Sequence, residues 1–272
     1  MLMNTATPPE ISYTQEELAV IEKDYNSLDL SNSAAIIEYG TDVQQKLSEV
    51  SGRMLILLND QSMEDISTLL YTTVGYLQSM EEEKNKFSFF KSRRKLTLRE
   101  KYKAAEKNVD RITDTLQEHQ IQLMKNCAML SQMHQMNDIY FKELNMKIAA
   151  GKKKLETCKK TELPALIKRA NETGLVQDSQ AVSNHQNQME RLEKKLHELE
   201  LTASISLQSA PLIEMIQSNQ TAMATKLQST LLNTIPLWKN QVVLALGMEQ
   251  AKQTAANNEN ANTLVHQLLH KN

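Results

Sequence analysis

The chain has 272 residues, 40% apolar and 24% charged, with a formal net charge of −2 and a pI near 6.3. That is material for one or two domains with a buried core, and with no basic excess the composition argues against nucleic acid as a partner. Only six Gly and five Pro occur, and neither appears between Gly75 and Gly151, so the turn punctuation that a sheet needs is missing and the chain reads as nearly all helix.

Met1 to Glu10 has neither a basic n-region nor an apolar h-region. No stretch approaches the roughly 20 apolar residues that span a bilayer, so the chain reads as cytoplasmic. Residues 1–12, with Pro8-Pro9, read as a disordered tail. Thr14 and Glu17 have capping-box spacing and open a helix to about Asn26. Ser31 to Ser33 offer caps for a second helix to about Leu58, with Val43, Leu47, Val50, Met54 and Leu57 as its core face. Asp60 and Ser62 end it. Ser62 with Asp65 starts a third helix, carrying Ile66, Leu69, Leu70, Val74 and Leu77, which Gly75 weakens without forbidding.

Thr97 and Glu100 form another capping box, which makes Ser88 to Leu96 a loop. Beyond it Val109, Ile112, Leu116, Leu123, Leu130, Met133, Tyr140 and Leu144 follow a heptad seam, interrupted by His119, Asn126 and Asn137, polar residues that fix register at a cost in stability. Val182, His185, Met189, Leu192, Leu196, Leu199 and Ala203 form a second seam. Pro164, Asn171 and Gly174 lie between the two, with Asp178 or Ser179 as the next cap. The economical solution folds the second long helix back on the first. Pro211 and Pro236 fall within helical sequence, where each is expected to kink or restart the helix. Residues 251–262 are small and polar, and Leu264, Val265, Leu268 and Leu269 need a partner surface or fray. The expected fold is therefore an all-α, elongated bundle built on a long antiparallel hairpin with shorter N-terminal helices. Residues 13–250 read as one domain and 251–272 as a polar, fraying end.

The run Leu207 to Gln217, with Pro211 at its centre, then Lys226-Leu227-Gln228, then Thr234-Ile235-Pro236-Leu237-Trp238-Lys239-Asn240-Gln241, closely resembles the bacterial TelA-type toxic-anion (tellurite) resistance family. Tyr39-Gly40 with Gln44, Leu47-Ser48, Ser51 and Met54-Leu55 resembles that family's N-terminal motif, and Ile148-Ala149-Ala150-Gly151 the end of its long central helix. Two departures stand out. Val50 and Gly52 replace an aromatic and an acidic residue, and the chain ends before the long C-terminal helix usual in the family. The resemblance implies a cytoplasmic helical protein linked to tellurite resistance and to envelope or phage stress. It implies no catalytic residues.

Oxyanion resistance invites a search for thiols and imidazoles. His119, Cys127 and His134 lie near one helical face, but eight- and seven-residue steps separate them by roughly 12 and 10 Å, too far for one ion. Cys127 and Cys158, without CxxC spacing, read as buried free thiols. No phosphate-binding loop or nucleophile-elbow motif occurs, so no enzyme activity, cofactor or metal is expected. Residues 84–103 join Lys84, Lys86, Lys91, Arg93, Arg94, Lys95, Arg99, Lys101 and Lys103 to Phe87, Phe89 and Phe90, three of the four Phe in the chain. Two readings are open: the rings plug the bundle end beneath solvated cations, or the segment meets an anionic membrane or polyanion. Lys152, Lys153, Lys154, Lys159 and Lys160 read as a solvated helix face. Trp238 reads as a core plug against the N-terminal helices or as an interface residue. Gln217, Lys239, Asn240 and Gln241 go with it. The sequence thus predicts a non-enzymatic interaction protein of a stress-resistance system, acting through protein partners or as a homo-oligomer. The alternative is a peripheral protein on the inner face of the membrane.

Overall fold

The computed structural model describes residues 12–58, 62–86 and 98–269, and every regular element among them is helical. The all-α expectation holds. Two compact units emerge: unit 1 comprises the described residues of Met1–Leu58 and Leu130–Ile216, unit 2 those of Asn59–Met129 and Gln217–Asn272.

Unit 1 begins with α1, Gln15–Ser27, capped as expected: Glu17 N–H donates to Thr14 Oγ1 and the Thr14 N–H to Glu17 Oε2 at 2.8 Å. The expected single helix from Ser31–Ser33 to Leu58 is instead two, α2 (Ser33–Glu38) and α3 (Thr41–Leu58). Gly40, at φ 72°, makes the break, a left-handed conformation that costs glycine little. A Cβ there would also lie 2.9 Å from Leu199 Cδ1, so backbone and side chain touch directly. The cap of α2 is Asn32, which accepts from Ala34 N–H and Ala35 N–H. Val43, Leu47, Val50, Met54 and Leu57 are all buried on α3.

The long helix α5 (Leu98–Thr157) continues through a π-helical turn, Cys158–Glu162, into α6 (Leu163–Thr173). Gly174, at φ 65°, ends α6, and α7 (Val176–Ser229) starts just ahead of the expected caps, with Asp178 in its first turn accepting from Thr173 Oγ1. Within unit 1 the two helices run antiparallel, since partners fall on one as they rise on the other: His134 meets Glu214, Asn137 meets Ser206, Lys152 meets Glu200 and Lys159 meets Glu193. Asn137 is an expected interruption. Its amide donates to the Ser206 carbonyl at 3.2 Å and its oxygen accepts from Ser206 Oγ at 2.9 Å, so the pair fixes helix register while satisfying itself.

Unit 2 packs α4 (Ser62–Lys86) with the first part of α5, the end of α7 and α8 (Ile235–Leu269). Its core includes Ile66, Leu77, Tyr102, Val109, Leu116, Leu123, Leu227 and Trp238. Antiparallel order holds here too, Cys127 against Thr221 and Asp110 against Lys239.

The helical prolines divide into two kinds. Pro164 and Pro236 each follow a π turn, Cys158–Glu162 and Thr230–Thr234, with one residue between. A proline lacks the N–H for its i−4 carbonyl and its ring collides with that carbonyl; the wider turn relieves both problems. Leu163 N–H and Ile235 N–H reach back to Cys158 and Thr230 carbonyls instead. Pro211 behaves otherwise: of the kink or restart expected there, no restart occurs, and α7 runs through it. Pro211 and Leu207 are both exposed, so water can take the hydrogen bond that proline cannot donate.

Candidate functional site

Among the residues singled out from sequence, Phe87, Phe89, Phe90, Lys91, Arg93, Arg94 and Lys95 lie outside the described residues. In unit 2 Trp238 is buried in the core beside Ile235 and Val242, Lys239 pairs with Asp110 at 2.7 Å, and Gln217 and Gln241 are half-buried. Pro236 and Asn240 are exposed there, as Pro211 is in unit 1. Lys152, Lys153, Lys159 and Lys160 are exposed, as a solvated face requires, and Lys154 is half-buried; their ammonium groups make surface contacts. Lys152 reaches Glu200 at 2.6 Å, Lys153 pairs with Glu22, Lys159 with Glu193 and Lys160 with Glu156, while Lys153 and Lys154 lie over the Tyr25 ring.

The segments that resembled a family's N-terminal and central-helix motifs converge in unit 1. Tyr39 O–H donates to the Lys147 carbonyl at 2.7 Å, and burial pushes its phenol well above the ordinary tyrosine value. At Gly151 an added Cβ would stand 2.5 Å from Leu196 Cδ2 and 3.3 Å from Tyr39 Cε1, so α5 needs glycine where α7 and Tyr39 press on it. Gln44 donates to Thr202 Oγ1 at 2.9 Å and accepts from Lys195 Nζ at 3.0 Å. These residues build the fold.

On α7, two apolar faces stand back to back. Leu199, Ala203, Ile213 and Ile216 are buried, whereas Leu201, Ile205, Leu212 and Met215 are each more than 40% exposed. The exposed four recur at steps of four, seven and three, the period of a helix-docking stripe. A stripe of this kind is what a second helix buries. Sequence reading missed it because, from Leu199 to Ile216, the residues of both faces are interleaved with polar ones along one stretch, and their order does not mark which face is buried.

At the π turn a different cluster forms. Cys158 Sγ lies 3.4 Å from Glu162 Oε2, His185 Nε2 from α7 lies 3.5 Å from the same oxygen, and all three donor atoms fall within 4.8 Å of one another. His185 Nε2 is buried without a hydrogen-bond partner. Burial, then the Glu162 carboxylate, pushes the Cys158 thiol up to about 11, which leaves it protonated and a poor nucleophile at neutral pH. The sequence search missed this group by looking along one helix for paired imidazoles. The signal it could have used was Cys158 four residues before Glu162, next to Pro164.

Comparison with known proteins gives a consistent answer. The model of the toxic anion resistance protein (TelA) family matches residues 21–272. Similar relatives include a TelA-like protein of Staphylococcus epidermidis, 29% identical over 272 residues that cover 97% of this chain and 72% of the relative. A TelA-like protein of Staphylococcus saprophyticus is 30% identical over 283 residues, 99% of this chain and 75% of the relative. An uncharacterized protein of Listeria monocytogenes is 34% identical over 250 residues, 89% and 63% of the two chains. No solved structure matches the chain.

Proposed function

The chain belongs to the toxic anion resistance (TelA) family, and from that premise we propose that it is a non-enzymatic interaction protein of a bacterial toxic-anion (tellurite) and envelope-stress resistance system, working in the cytoplasm through protein partners. The supporting observation is the exposed stripe Leu201, Ile205, Leu212 and Met215 on unit 1. An apolar helix of a partner, or of a second copy, would cover it. The test is tellurite survival of cells whose only copy carries Ile205→Glu with Leu212→Glu. These exposed positions should leave the purified protein's helicity and melting temperature unchanged, while resistance falls. Full resistance in cells that make the variant at normal levels would remove the stripe from the mechanism.

A second reading rests on residues 84–103, where three Phe and nine cations coincide: a peripheral membrane role on anionic lipid, each near-surface cation contributing about 1 kcal/mol. No described helix is long and apolar enough to cross a membrane. Co-sedimentation with vesicles containing phosphatidylglycerol tests this role. Replacing Arg93, Arg94 and Lys95 by Ser should abolish binding, and wild-type protein that stays in the supernatant at low salt would end the membrane reading.

A further inference from the structure

We propose that Cys158, Glu162 and His185 form a binding site for a zinc-class divalent cation, held by one thiolate, one carboxylate and one imidazole with a fourth position left open. It stands independently of the docking stripe.

The geometry is the first argument. Zinc bonds of about 2.3 Å to sulfur and about 2.0–2.1 Å to nitrogen and oxygen set tetrahedral edges of roughly 3.4 to 3.6 Å. Two edges already match, at 3.4 Å from Cys158 Sγ to Glu162 Oε2 and 3.5 Å from His185 Nε2 to the same oxygen. The third separation, at most 4.8 Å, needs about 1 Å of side-chain movement. The π turn is the second argument. It places Cys158 and Glu162 on one side facing α7, and Pro164 accounts for the turn itself. Such turns recur at functional sites.

The third argument is the orphaned nitrogen. A buried polar atom without a partner is costly, and His185 Nε2 points to where a metal would supply one. The ordinary alternative, a His–Glu ion pair with the thiol donating to Glu162, leaves that nitrogen at 3.5 Å without a hydrogen bond. Charge also balances. The cation displaces the Cys158 proton, which leaves to solvent, and thiolate plus carboxylate neutralise the dication where Cys158 is buried and Glu162 and His185 are half-buried. Softness favours zinc over magnesium or calcium, which take oxygen ligands.

The experiment uses the full chain with cobalt as the optical probe and zinc as its competitor. Wild-type protein should bind one cobalt per chain with a sulfur-to-metal charge-transfer band, which zinc abolishes. Cys158→Ser should lose the band, Cys127→Ser should keep it, and His185→Gln should weaken zinc binding at least tenfold with unchanged helicity. If Cys158→Ser fails to fold, the His185→Gln measurement decides alone. No band in the wild type, a band that survives in folded Cys158→Ser, a band lost with Cys127, or full zinc affinity in His185→Gln would each overturn the site.

Discussion

The two units share the long helices α5 and α7 but are specified differently. In unit 1, named polar contacts and two glycines set the register: Asn137 with Ser206, Tyr39 with the Lys147 carbonyl, Gln44 with Lys195 and Thr202, and Gly40 and Gly151 where nothing larger fits. Unit 2 relies on apolar bulk around Trp238, Tyr102 and Leu116, and its buried Gln220 Oε1 has no hydrogen-bond partner. Polar locks make a packing arrangement unique, whereas apolar bulk makes it strong and tolerant. Unit 1 should therefore resist substitution poorly, and unit 2 should accept apolar replacements.

The largest effects come from emptying the cores. Leu196 in unit 1 and Leu123 in unit 2 are buried, and truncating either to Ala should cost about 2–5 kcal/mol. Trp238, the sole tryptophan, sits in the unit 2 core and reports on that unit. Because the two clusters share no residue, Leu123→Ala should shift the tryptophan fluorescence midpoint in urea fully. Leu196→Ala should shift it less than the circular dichroism midpoint. Equal shifts by both probes would mean one cooperative block, and the contrast between units would lose its thermodynamic content.

Next come the glycines. Gly151→Ala should destabilise by about 1–3 kcal/mol through overpacking against Leu196 and Tyr39. Gly75→Ala in unit 2, where an added Cβ meets nothing within 4 Å, should stabilise α4 by about 0.5–1 kcal/mol. Thermal melts measure both, and a neutral Gly151→Ala would show that α5 has room to shift.

The buried polar groups follow. Asn137→Leu strands Ser206 Oγ and should cost about 1–3 kcal/mol. Gln220→Leu removes an unsatisfied oxygen and should raise stability by up to about 1 kcal/mol. Opposite signs sharpen the comparison, whereas two losses would mean that Gln220 has a partner in solution.

Much of this was legible from sequence where periodicity is strong. The buried faces of α3, α5 and α7 and the Thr14 cap follow from spacing alone, because burial repeats with the helix turn. The break at Gly40 was not legible, since a glycine between helical segments is tolerated as often as it terminates, and only the approach of Leu199 decides. That Pro211 would not restart the helix was not legible either, because its effect depends on whether its side of the helix meets water or a neighbour. The thiol cluster was hidden for a related reason: His185 comes from another helix, and a π turn shifts faces in a way that a 3.6-residue period does not anticipate.

The smallest effects should come from what looks most abundant in unit 1, its ion pairs. Lys152–Glu200 and Lys159–Glu193 are about half exposed on both sides, where solvent screens the attraction and holding two long side chains costs entropy. Each is worth about 0.2–1 kcal/mol, and added salt should shrink even that. Lys147 differs. It is mostly buried, 3.7 Å from Asp24, and its ammonium lies over the Tyr39 ring at 5.8 Å. Replacing it leaves Asp24 without that partner in a half-buried position and removes a cation–π contact worth about 0.5–1 kcal/mol. Lys147→Met should therefore exceed Lys159→Met in cost, and the difference should persist in high salt. If salt erases it, unit 1 is held at Tyr39 by its phenol hydrogen bond and the glycine contact alone, and the lysines of α5 contribute to solubility rather than to fold.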